Sequence, residues 1–515
     1  MTSIRESAGS SSGIRLSESV WAHLLYVVAV AAFAAALPAE AYSVIGGGFI
    51  GAVGILAIWR YGWGLLHFIR ALIYRVKVFP RMREVADSLI AQETPHAYLL
   101  VTTFRIDSAV TIRVYKAAFE AALAAPGRVT VVASVVETAD QRLVKTLFGR
   151  LCSNQNKVDL VVVRIAGTGK RDALAYGFRA IARRCPSTDD VVAVIDGDSI
   201  IPRDLVRQCA GFFLSDPQIG ALTTDELSEV RGGRIFQEWY ALRFAQRHTL
   251  MSSMGLSERV LTLTGRMAMF RASIVCDPDF IRQVELDYID HWRLGRFKFL
   301  TGDDKSSWFW LLRNGYKMIY VPDVIVWTVE DPPADKFVPA AAMLMVRWFG
   351  NMLRTNSRAV ALGPKRIGPF TWWAILDQRM SMWTSLVGFS IAVIATFFIS
   401  GYAFLLYALW ILTSRYVLTL SLLTARPRVS VFYPFLLYFN QIFGSLMKVH
   451  IMFRLDRQKW TRQKTTSATR NVKRPLIASS FMSAYMHTLS LAAFLTFLAW
   501  SVDVLPTPRN LLLFP

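Results

Sequence analysis

The hydrophobic pattern begins with two apolar runs close to the N-terminus. The runs span residues 21–37 and 42–59, and each is long enough to form a helix that crosses a bilayer. A Ser-rich polar stretch precedes them and a strongly basic flank follows. We therefore predict a flexible tail over 1–19 and a transmembrane hairpin of two helices over 20–70. The positive-inside rule places the basic flank in the cytoplasm.

The pattern changes over residues 85–335, where short runs rich in β-branched residues alternate with helical stretches. The strand-like runs read "AYLLVTTF", "VTVVASVV", "VDLVVVRIA" and "VVAVIDGD". Strands that alternate with helices predict βαβ units and an α/β domain with a mostly parallel sheet. Ligands of such sheets bind beyond the carboxyl ends of the strands, so the polar residues there are the candidates for a site.

After residue 335 the chain becomes apolar again, with basic residues between the apolar runs. Over 336–380 the pattern predicts amphipathic helices at the membrane interface. Longer apolar runs predict two transmembrane helices over 381–424 and a last one over 480–502.

The segment 431–453 is long enough to cross a membrane, but it contains polar residues. They are Asn440, Gln441, Lys448 and His450. A crossing here would also put the strongly basic loop 454–475 outside, against the positive-inside rule. We therefore predict an interfacial or re-entrant segment.

Composition supports a membrane protein. The 515 residues are 53% hydrophobic and only 18% charged, with a mean hydropathy of +0.35. The net charge of +21 fits basic cytoplasmic loops or the handling of an anionic polymer. Because the charge is spread through membrane flanks, a nucleic-acid partner is not expected. The four cysteines form no CxxC pair, so zinc and redox motifs are unsupported.

The clearest candidate chemistry is the pair Asp196 and Asp198, which follows the run "VVAVI". Two carboxylates at a strand end are hard oxygen ligands for Mg²⁺ or Mn²⁺, which can also bind a diphosphate. An Asp-Gly turn is the alternative.

Other strand ends carry candidates for binding an anion or a nucleotide. Lys170 and Arg171 begin a helix after "AGTG", although the Walker spacing is missing. Asp107 and Glu137 follow earlier strands and are candidates for hydrogen bonds with a base or ribose. An ordinary strand–helix turn and helix capping, by Asp107 above all, remain alternatives.

Three further pairs of neighbouring residues carry both a functional and a structural interpretation. Gly265 and Arg266 suit close approach and binding of a substrate, or only the scaffold. Arg347 and Trp348 suit a diphosphate clamp and a sugar-stacking face, or a membrane-interface anchor. The adjacent acids of "TGDD", Asp303 and Asp304, suit a solvated turn, a helix cap or part of an active site.

These motifs follow one another as in a known family. The order of strand-end acids, "DGD", "TGDD" and "RW" resembles the pattern D, D-x-D, [TG]-[ED]-D and Q-x-x-R-W of the processive family-2 inverting glycosyltransferases. That family includes the cellulose, chitin and hyaluronan synthases. The blocks "RIAGTGKRDALAYGFRAI" and "HWRLGRFKFLTGDDKSSWF" are most similar to the bacterial alginate polymerases, also called mannuronan synthases. The chain departs at Leu344, where the family has Gln.

The resemblance implies a GT-A-like domain inserted between transmembrane helices, with Asp304 as the general base and a cation on Asp196 and Asp198. Together with the residue-level reasoning, it gives a donor-binding set of Asp107, Glu137, Lys170, Arg171 and Arg347. The acceptor-binding set is Asp303, Gly265, Arg266 and Trp348. A gating loop is expected at Trp460, Thr461 and Arg462.

The implied activity is polymerisation of mannuronate from GDP-mannuronate into β-1,4-polymannuronate, the precursor of alginate, with export across the inner membrane. The expected cofactor is Mg²⁺ or Mn²⁺. The expected partners are a membrane co-polymerase subunit that binds cyclic di-GMP, periplasmic and outer-membrane alginate export proteins, and membrane lipid. The catalytic domain would lie in the cytoplasm of a bacterium.

Two alternatives remain open at this point. One is a related synthase that uses a UDP-sugar, of the hyaluronan, chitin or cellulose type. The other is a non-catalytic membrane scaffold or transporter. A screen of nucleotide-sugar donors tests the first alternative, and a failure to release GDP from GDP-mannuronate would favour the second.

Overall fold

The computed structural model describes residues 15–43, 47–153, 155–458, 476–502 and 504–505. Its strands are β1 Ala97–Thr103, β2 Val129–Val135, β3 Val158–Arg164, β4 Val191–Asp196, β5 Ser199–Ile200, β6 Ile219–Val230, β7 Met267–Arg271, β8 Tyr288–His291, β9 Gly295–Lys298 and β10 Lys317–Glu330.

The helices are numbered in chain order. They are α1 Val20–Ala36, α2 Ala39–Ser43, α3 Gly47–Ile73, α4 Phe79–Gln92, α5 Ser108–Ala124, α6 Thr138–Leu151, α7 Lys170–Ala182, α8 Leu205–Ser215, α9 Arg234–Gly255, α10 Ala272–Val275, α11 Pro278–Glu285, α12 Asp303–Arg313, α13 Phe337–Ala361, α14 Pro364–Ile367, α15 Pro369–Phe398, α16 Tyr402–Ser421, α17 Tyr433–Met452 and α18 Leu476–Ser501. A π-helical turn, Tyr74–Val78, joins α3 to α4.

The centre of the middle region is a sheet whose strand order is β3-β2-β1-β4-β7-β6-β10-β5. Strands β1 to β4 are mutually parallel, β6 pairs parallel with β10, and β7 runs antiparallel between β4 and β6. This arrangement confirms the predicted α/β domain with a mostly parallel sheet. Strands β1 and β2 are buried at every position, as expected where helices cover both faces.

The register brings the carboxyl ends of β1 and β4 to one edge, with Thr102 opposite Asp196. At this edge Gly197 has no room for a side chain, because a Cβ atom would lie 2.6 Å from the Thr102 carbonyl oxygen. The glycine of the "DGD" turn is therefore required by the close approach of the two strands.

Three helical segments of the described residues are long and apolar enough to cross a membrane: Pro369–Phe398, Tyr402–Thr424 and Ser480–Ser501. Helix α1 is apolar but has 17 residues. Helix α15 runs without a break through position 380, where the prediction separated an interface helix from a span. No proline or glycine interrupts the chain between Phe370 and Val387, so nothing in the sequence ends the helix there.

Helix α17 covers the segment 431–453 and is not among these three spans. Its assignment as interfacial or re-entrant stays a prediction. The expected gating residues Trp460, Thr461 and Arg462 lie outside the described residues.

The chain forms two compact units. One contains α1, α16 and the parts of α15 and α17 that lie within Met382–Leu446. It also contains the part of α18 from Thr488 onward. Within it, α1 packs on α16, where the Tyr26 hydroxyl donates to the Leu412 carbonyl at 3.0 Å and the rings of Tyr26 and Tyr416 stack at 4.7 Å. The other contains Gly64–Ser381 and Met447–His487, and it holds the whole candidate site.

Candidate active site

An open cavity of about 680 Å³ lies at the carboxyl ends of the parallel strands. Its walls come from β1, β4, the turn before α7, the first turn of α12, and helices α9 and α13. A cavity of this size and position is typical of ligand sites in α/β proteins. The cavity therefore lies at the edge of the sheet that the strand-end rule indicates.

Lys170 joins the two acidic motifs that the sequence separates. It is the first residue of α7, and its Nζ lies 2.5 Å from Asp196 Oδ1 and 3.1 Å from Asp303 Oδ2. Burial alone would lower the pKa of Lys170, but the carboxylates of Asp196 and Asp303 outweigh it and hold the pKa well above its usual range. Lys170 therefore stays protonated and neutralises part of a carboxylate cluster.

Asp196 and Asp198 both line the cavity. Burial raises the pKa of Asp196 to about 6 although Lys170 opposes the shift, and the charges of Asp198 and Asp303 add to it. Gly265 also borders this cluster. A Cβ atom on Gly265 would lie 2.9 Å from Lys170 Nζ and 3.1 Å from Asp196 Oδ2, so a side chain here would displace the charged ends of these two residues.

Asp303 and Asp304 form the first turn of α12 and face the cavity. Burial would raise the pKa of Asp303, but Lys170 and Arg171 together lower it. By contrast, burial and the charge of Asp303 raise the pKa of Asp304. The two neighbouring acids therefore differ: Asp303 is an ionised partner of Lys170, and Asp304 is the more basic carboxylate.

The loop before α12 depends on Gly302 and Asn351. Gly302 has a φ of +83°, which L-residues rarely adopt, and a Cβ atom there would lie 2.8 Å from Asn351 Cγ. The side-chain amide oxygen of Asn351, Oδ1, accepts a hydrogen bond from the Thr301 hydroxyl at 2.8 Å. Helix α13 thus holds the backbone that presents both acids.

Arg171, expected to bind the donor, does not line the cavity. Its buried guanidinium donates to the carbonyls of Val284 at 2.6 Å and Thr301 at 3.0 Å, and to Ser306 Oγ at 3.0 Å. Adjacent helical residues point about 100° apart, and on α7 it is Lys170 that faces the cavity. Arg171 instead supports the loop that carries the acid pair.

Asp107 and Glu137 also do not line the cavity, although the adjacent residues Ile106 and Val136 do. The Asp107 carboxylate caps α5 by accepting from the Ala109 backbone N–H at 2.7 Å, and Glu137 is exposed at the start of α6. The capping alternative therefore describes Asp107 in this structure. The strand ends reach the site, but these two acidic side chains turn away from it.

Arg266 lines the cavity, but its guanidinium is bound by two carboxylates. Its Nη1 lies 3.0 Å from Glu226 Oε2 and its Nη2 lies 2.5 Å from Glu330 Oε1. Despite the opposing effect of burial, these carboxylates hold the pKa of Arg266 above its usual range. Arg266 is accordingly part of a fixed ion-pair network in the wall.

Helix α13 brings Leu344, Arg347 and Trp348 to the cavity. Leu344 lies one turn before Trp348, so an apolar group occupies the place of the family's Gln. The indole of Trp348 is covered by a residue that the sequence reasoning missed. Arg243 of α9 places its Cζ 3.4 Å from the centroid of the Trp348 ring. The available signal was the i, i+4 pair Arg243 and Arg247 in "LRFAQRH".

Comparison with known proteins adds to this geometry. Residues 95–351 match the family described as Glycosyltransferase like family 2. The chain is 49% identical to Glycosyltransferase alg8 of Pseudomonas syringae pv. tomato over 443 residues, which is 86% of this chain and 90% of that protein. It is 47% identical to Glycosyltransferase alg8 of Azotobacter vinelandii, again over 86% and 90%.

A structural similarity is also found to a mannosyltransferase from Pyrobaculum calidifontis in complex with GDP-Man and Mn²⁺. The TM-score is 0.46 and the identity 18%, with 76% of this chain and 96% of that chain covered.

Proposed function

Since this chain belongs to the family-2 glycosyltransferases, as its relatives named Glycosyltransferase alg8 do, we propose that it polymerises mannuronate from GDP-mannuronate into β-1,4-polymannuronate. The GT-A-like domain is the catalytic part of this glycosyltransferase. The alternative of a non-catalytic scaffold has no support in this family membership. The choice of donor, the polymer and its export are the content of the proposal.

The observation that carries the proposal is the contact of Lys170 with both Asp196 and Asp303. One protonated side chain joins the "DGD" turn, where a donor diphosphate is expected, to the "TGDD" turn, where an acceptor hydroxyl is expected. A glycosyl transfer needs these two ends within reach of one anomeric carbon. That both turns line one cavity supports the proposal.

A divalent cation fits the "DGD" turn. Asp196 and Asp198 are hard oxygen ligands, and burial together with crowding by other carboxylates raises the pKa of Asp196, a repulsion that a dication would relieve. The described residues contain no group of three His, Cys, Asp or Glu side chains arranged to hold a metal. Two carboxylates together with substrate phosphates are a usual ligand set for Mg²⁺. When bound, the ion would supply positive charge beside the leaving diphosphate.

In the proposed reaction Asp304 is the general base. The acceptor C4 hydroxyl forms a bond to C1 of the donor sugar as the bond from C1 to the phosphate oxygen breaks. GDP leaves with the electron pair, and the hydroxyl proton passes to Asp304. The raised pKa of Asp304 suits this role, because a more basic carboxylate accepts a proton more readily. Arg347, which lines the cavity, is the proposed partner of the diphosphate.

The same proposal covers the membrane part. The three candidate spans after the catalytic domain fit a protein that passes the polymer across the inner membrane, with the catalytic domain on the cytoplasmic side. A co-polymerase subunit that binds cyclic di-GMP and the periplasmic and outer-membrane export proteins complete the proposed assembly. The proposed acceptor-side residues remain Asp303, Gly265 and Arg266. No cavity contact supports a donor-binding role for Asp107, Glu137 or Arg171.

The test compares wild type, Asp304→Asn and the exposed control Asp335→Asn in membranes that contain the co-polymerase and cyclic di-GMP. We expect polymer from GDP-mannuronate with wild type and control. For Asp304→Asn we expect a loss of about 100-fold or more, at unchanged affinity for GDP, because only proton transfer is removed. Polymer from Asp304→Asn at the wild-type rate would exclude Asp304 as the base. Incorporation from UDP-sugars and not from GDP-mannuronate would contradict the proposed donor.

A further inference from the structure

Arg243 and Trp348 form a stacked pair in the wall of the cavity. The Arg243 Cζ lies 3.4 Å from the centroid of Trp348 and 5.0 Å from that of Trp239, and the two indoles are 5.8 Å apart. A guanidinium over the face of an aromatic ring is held there by cation–π attraction. Trp348 therefore presents one of its faces to Arg243, and that face is not open to a sugar ring.

Most cations of the cavity are bound by protein groups. Lys170 and Arg266 are paired with carboxylates, as described above. Arg247 donates to the Thr224 carbonyl at 3.0 Å and lies 3.4 Å from Glu226, and Lys305 donates to the Leu261 carbonyl at 2.6 Å. Within the described part of the chain, Arg243 has only the ring contacts, with no carboxylate at ion-pair distance.

The electrostatic environment of Arg243 favours an anion. Burial lowers the pKa of Arg243 to about 9, and the positive charges of Arg266 and Arg347 act in the same direction, whereas Tyr240 and the Glu330 carboxylate partly oppose the shift. At neutral pH the guanidinium still carries its charge. A partly buried cation whose neighbours include other cations is stabilised when a ligand brings a negative charge.

We propose that Arg243, oriented by Trp348, binds the carboxylate of a mannuronate residue in the cavity and selects uronate over neutral sugars. The guanidinium fork matches a carboxylate with two parallel hydrogen bonds. Tyr240 and Phe244 of α9 line the cavity beside Arg243, so aromatic surface lies next to this cation, as suits a charged sugar. Trp348 is then a positioning residue. This inference rests on the proposed function and identifies the residue that recognises the carboxylate of the sugar.

The carboxylate belongs either to the donor or to the terminal sugar of the acceptor, and two binding measurements separate these sources. Both use the full chain in membranes with Asp304→Asn as the parent, so that the donor is not consumed. In the first, GDP-mannuronate, GDP-mannose and GDP compete with fluorescently labelled GDP. In the second, short oligomannuronates bind in the presence of GDP.

For Arg243→Gln we expect a loss of about 30-fold in one of two quantities: the preference for GDP-mannuronate over GDP-mannose, or the affinity for oligomannuronate. The affinity for GDP should not change, which also shows that the variant is folded. Arg243→Lys, which keeps the charge without the planar fork, should lose less. The exposed Arg282→Gln on α11 is the control and should match the parent.

Two results would overturn the inference. If the affinity for GDP itself falls in Arg243→Gln, the residue binds the diphosphate. If neither the donor preference nor the oligomannuronate affinity changes, Arg243 does not bind the carboxylate. A different failure, in which the parent does not bind GDP-mannuronate at all, would count against the proposed function instead.

Trp348→Leu tests the positioning role. If Trp348 acts through Arg243, this variant should lose the uronate preference, and the double variant with Arg243→Gln should lose little more than either alone. If Trp348 instead stacks on the sugar, Trp348→Leu should weaken GDP-mannose and GDP-mannuronate alike, and its effect should add to that of Arg243→Gln. The additive result would contradict the positioning role.

Discussion

Arg171→Lys tests whether Arg171 supports the acid-pair loop or binds the donor. In the structure the Arg171 guanidinium spans three acceptors, on Val284, Thr301 and Ser306. A lysine keeps the positive charge near Asp303, so the electrostatic effect on that carboxylate is preserved. Its single ammonium group cannot reproduce a fork that reaches all three acceptors. The substitution therefore keeps the positive charge but removes the fork of hydrogen bonds to the three acceptors.

The magnitude follows from the lost hydrogen bonds. Each bond from a charged donor contributes about 1.5–3 kcal/mol, and buried acceptors left without a partner are costly. Retaining one bond of the three gives a destabilisation of about 3 kcal/mol at the lower limit. For a domain of this size a destabilisation of about 1 kcal/mol lowers the melting temperature by roughly 2–4 °C. The melting temperature of the variant should therefore fall by roughly 6–12 °C.

The assay is thermal unfolding of the purified protein in detergent, together with competition against labelled GDP. Arg179→Lys is the matched control on the same helix. Arg179 pairs with Glu285 at 3.0 and 2.5 Å, but its side chain is 38% exposed, so the change should cost about 1 kcal/mol or less. A variant Arg171→Lys that melts like wild type and binds GDP weakly would refute the supporting role and restore the donor-binding one.

Two further substitutions probe the same loop. Gly302→Ala should lower both the melting temperature and the turnover, because alanine at φ +83° costs about 1–2 kcal/mol and its methyl group would also meet Asn351. Gly315→Ala, at φ +81° with open space, carries the backbone cost alone, and equal effects of the two variants would exclude the Asn351 contact. Gln458→Leu should reduce turnover roughly 10-fold at unchanged affinity for GDP, because the Gln458 amide accepts from Leu300 N–H at 2.9 Å and donates to the Lys298 carbonyl at 2.8 Å. Unchanged turnover in Gln458→Leu would show that this contact does not position the acids.

Features set by local sequence were predictable. The run "VVAVIDGD" forms β4 and the turn after it, and "VTVVASVV" forms β2 over Val129–Val135. A short run of buried β-branched residues followed by polar residues indicates both a strand and the residue at which it ends. The edge of the sheet that holds Asp196 could therefore be inferred. The helix after β1, Ser108–Ala124, is one of the helical stretches expected between these runs.

Features that depend on which way a side chain turns were not predictable. Lys170 and Arg171 are adjacent cations at one helix start, and only the packing of α7 against α11 and α12 decides which one faces the cavity. Asp107 satisfies two rules at once, because an acid at a strand end can bind a ligand and an acid before a helix can cap it. Capping needs only the local backbone, and in this structure the local interaction is the one that forms.

The charged side chains of the two cavity walls are balanced in different ways, and this difference bears on what the cavity binds. On the acidic side, Lys170 offsets carboxylates from both motifs, and a divalent cation would complete the balance. On the side of α9 and α13, Arg243 is held by indoles, which orient a cation without neutralising it. A ligand with one anionic end would satisfy only part of this arrangement. A diphosphate and a mannuronate carboxylate, the latter on the donor or on the acceptor end, together give a negative group for each side, which is why the uronate, and not only the nucleotide, belongs in the proposed specificity.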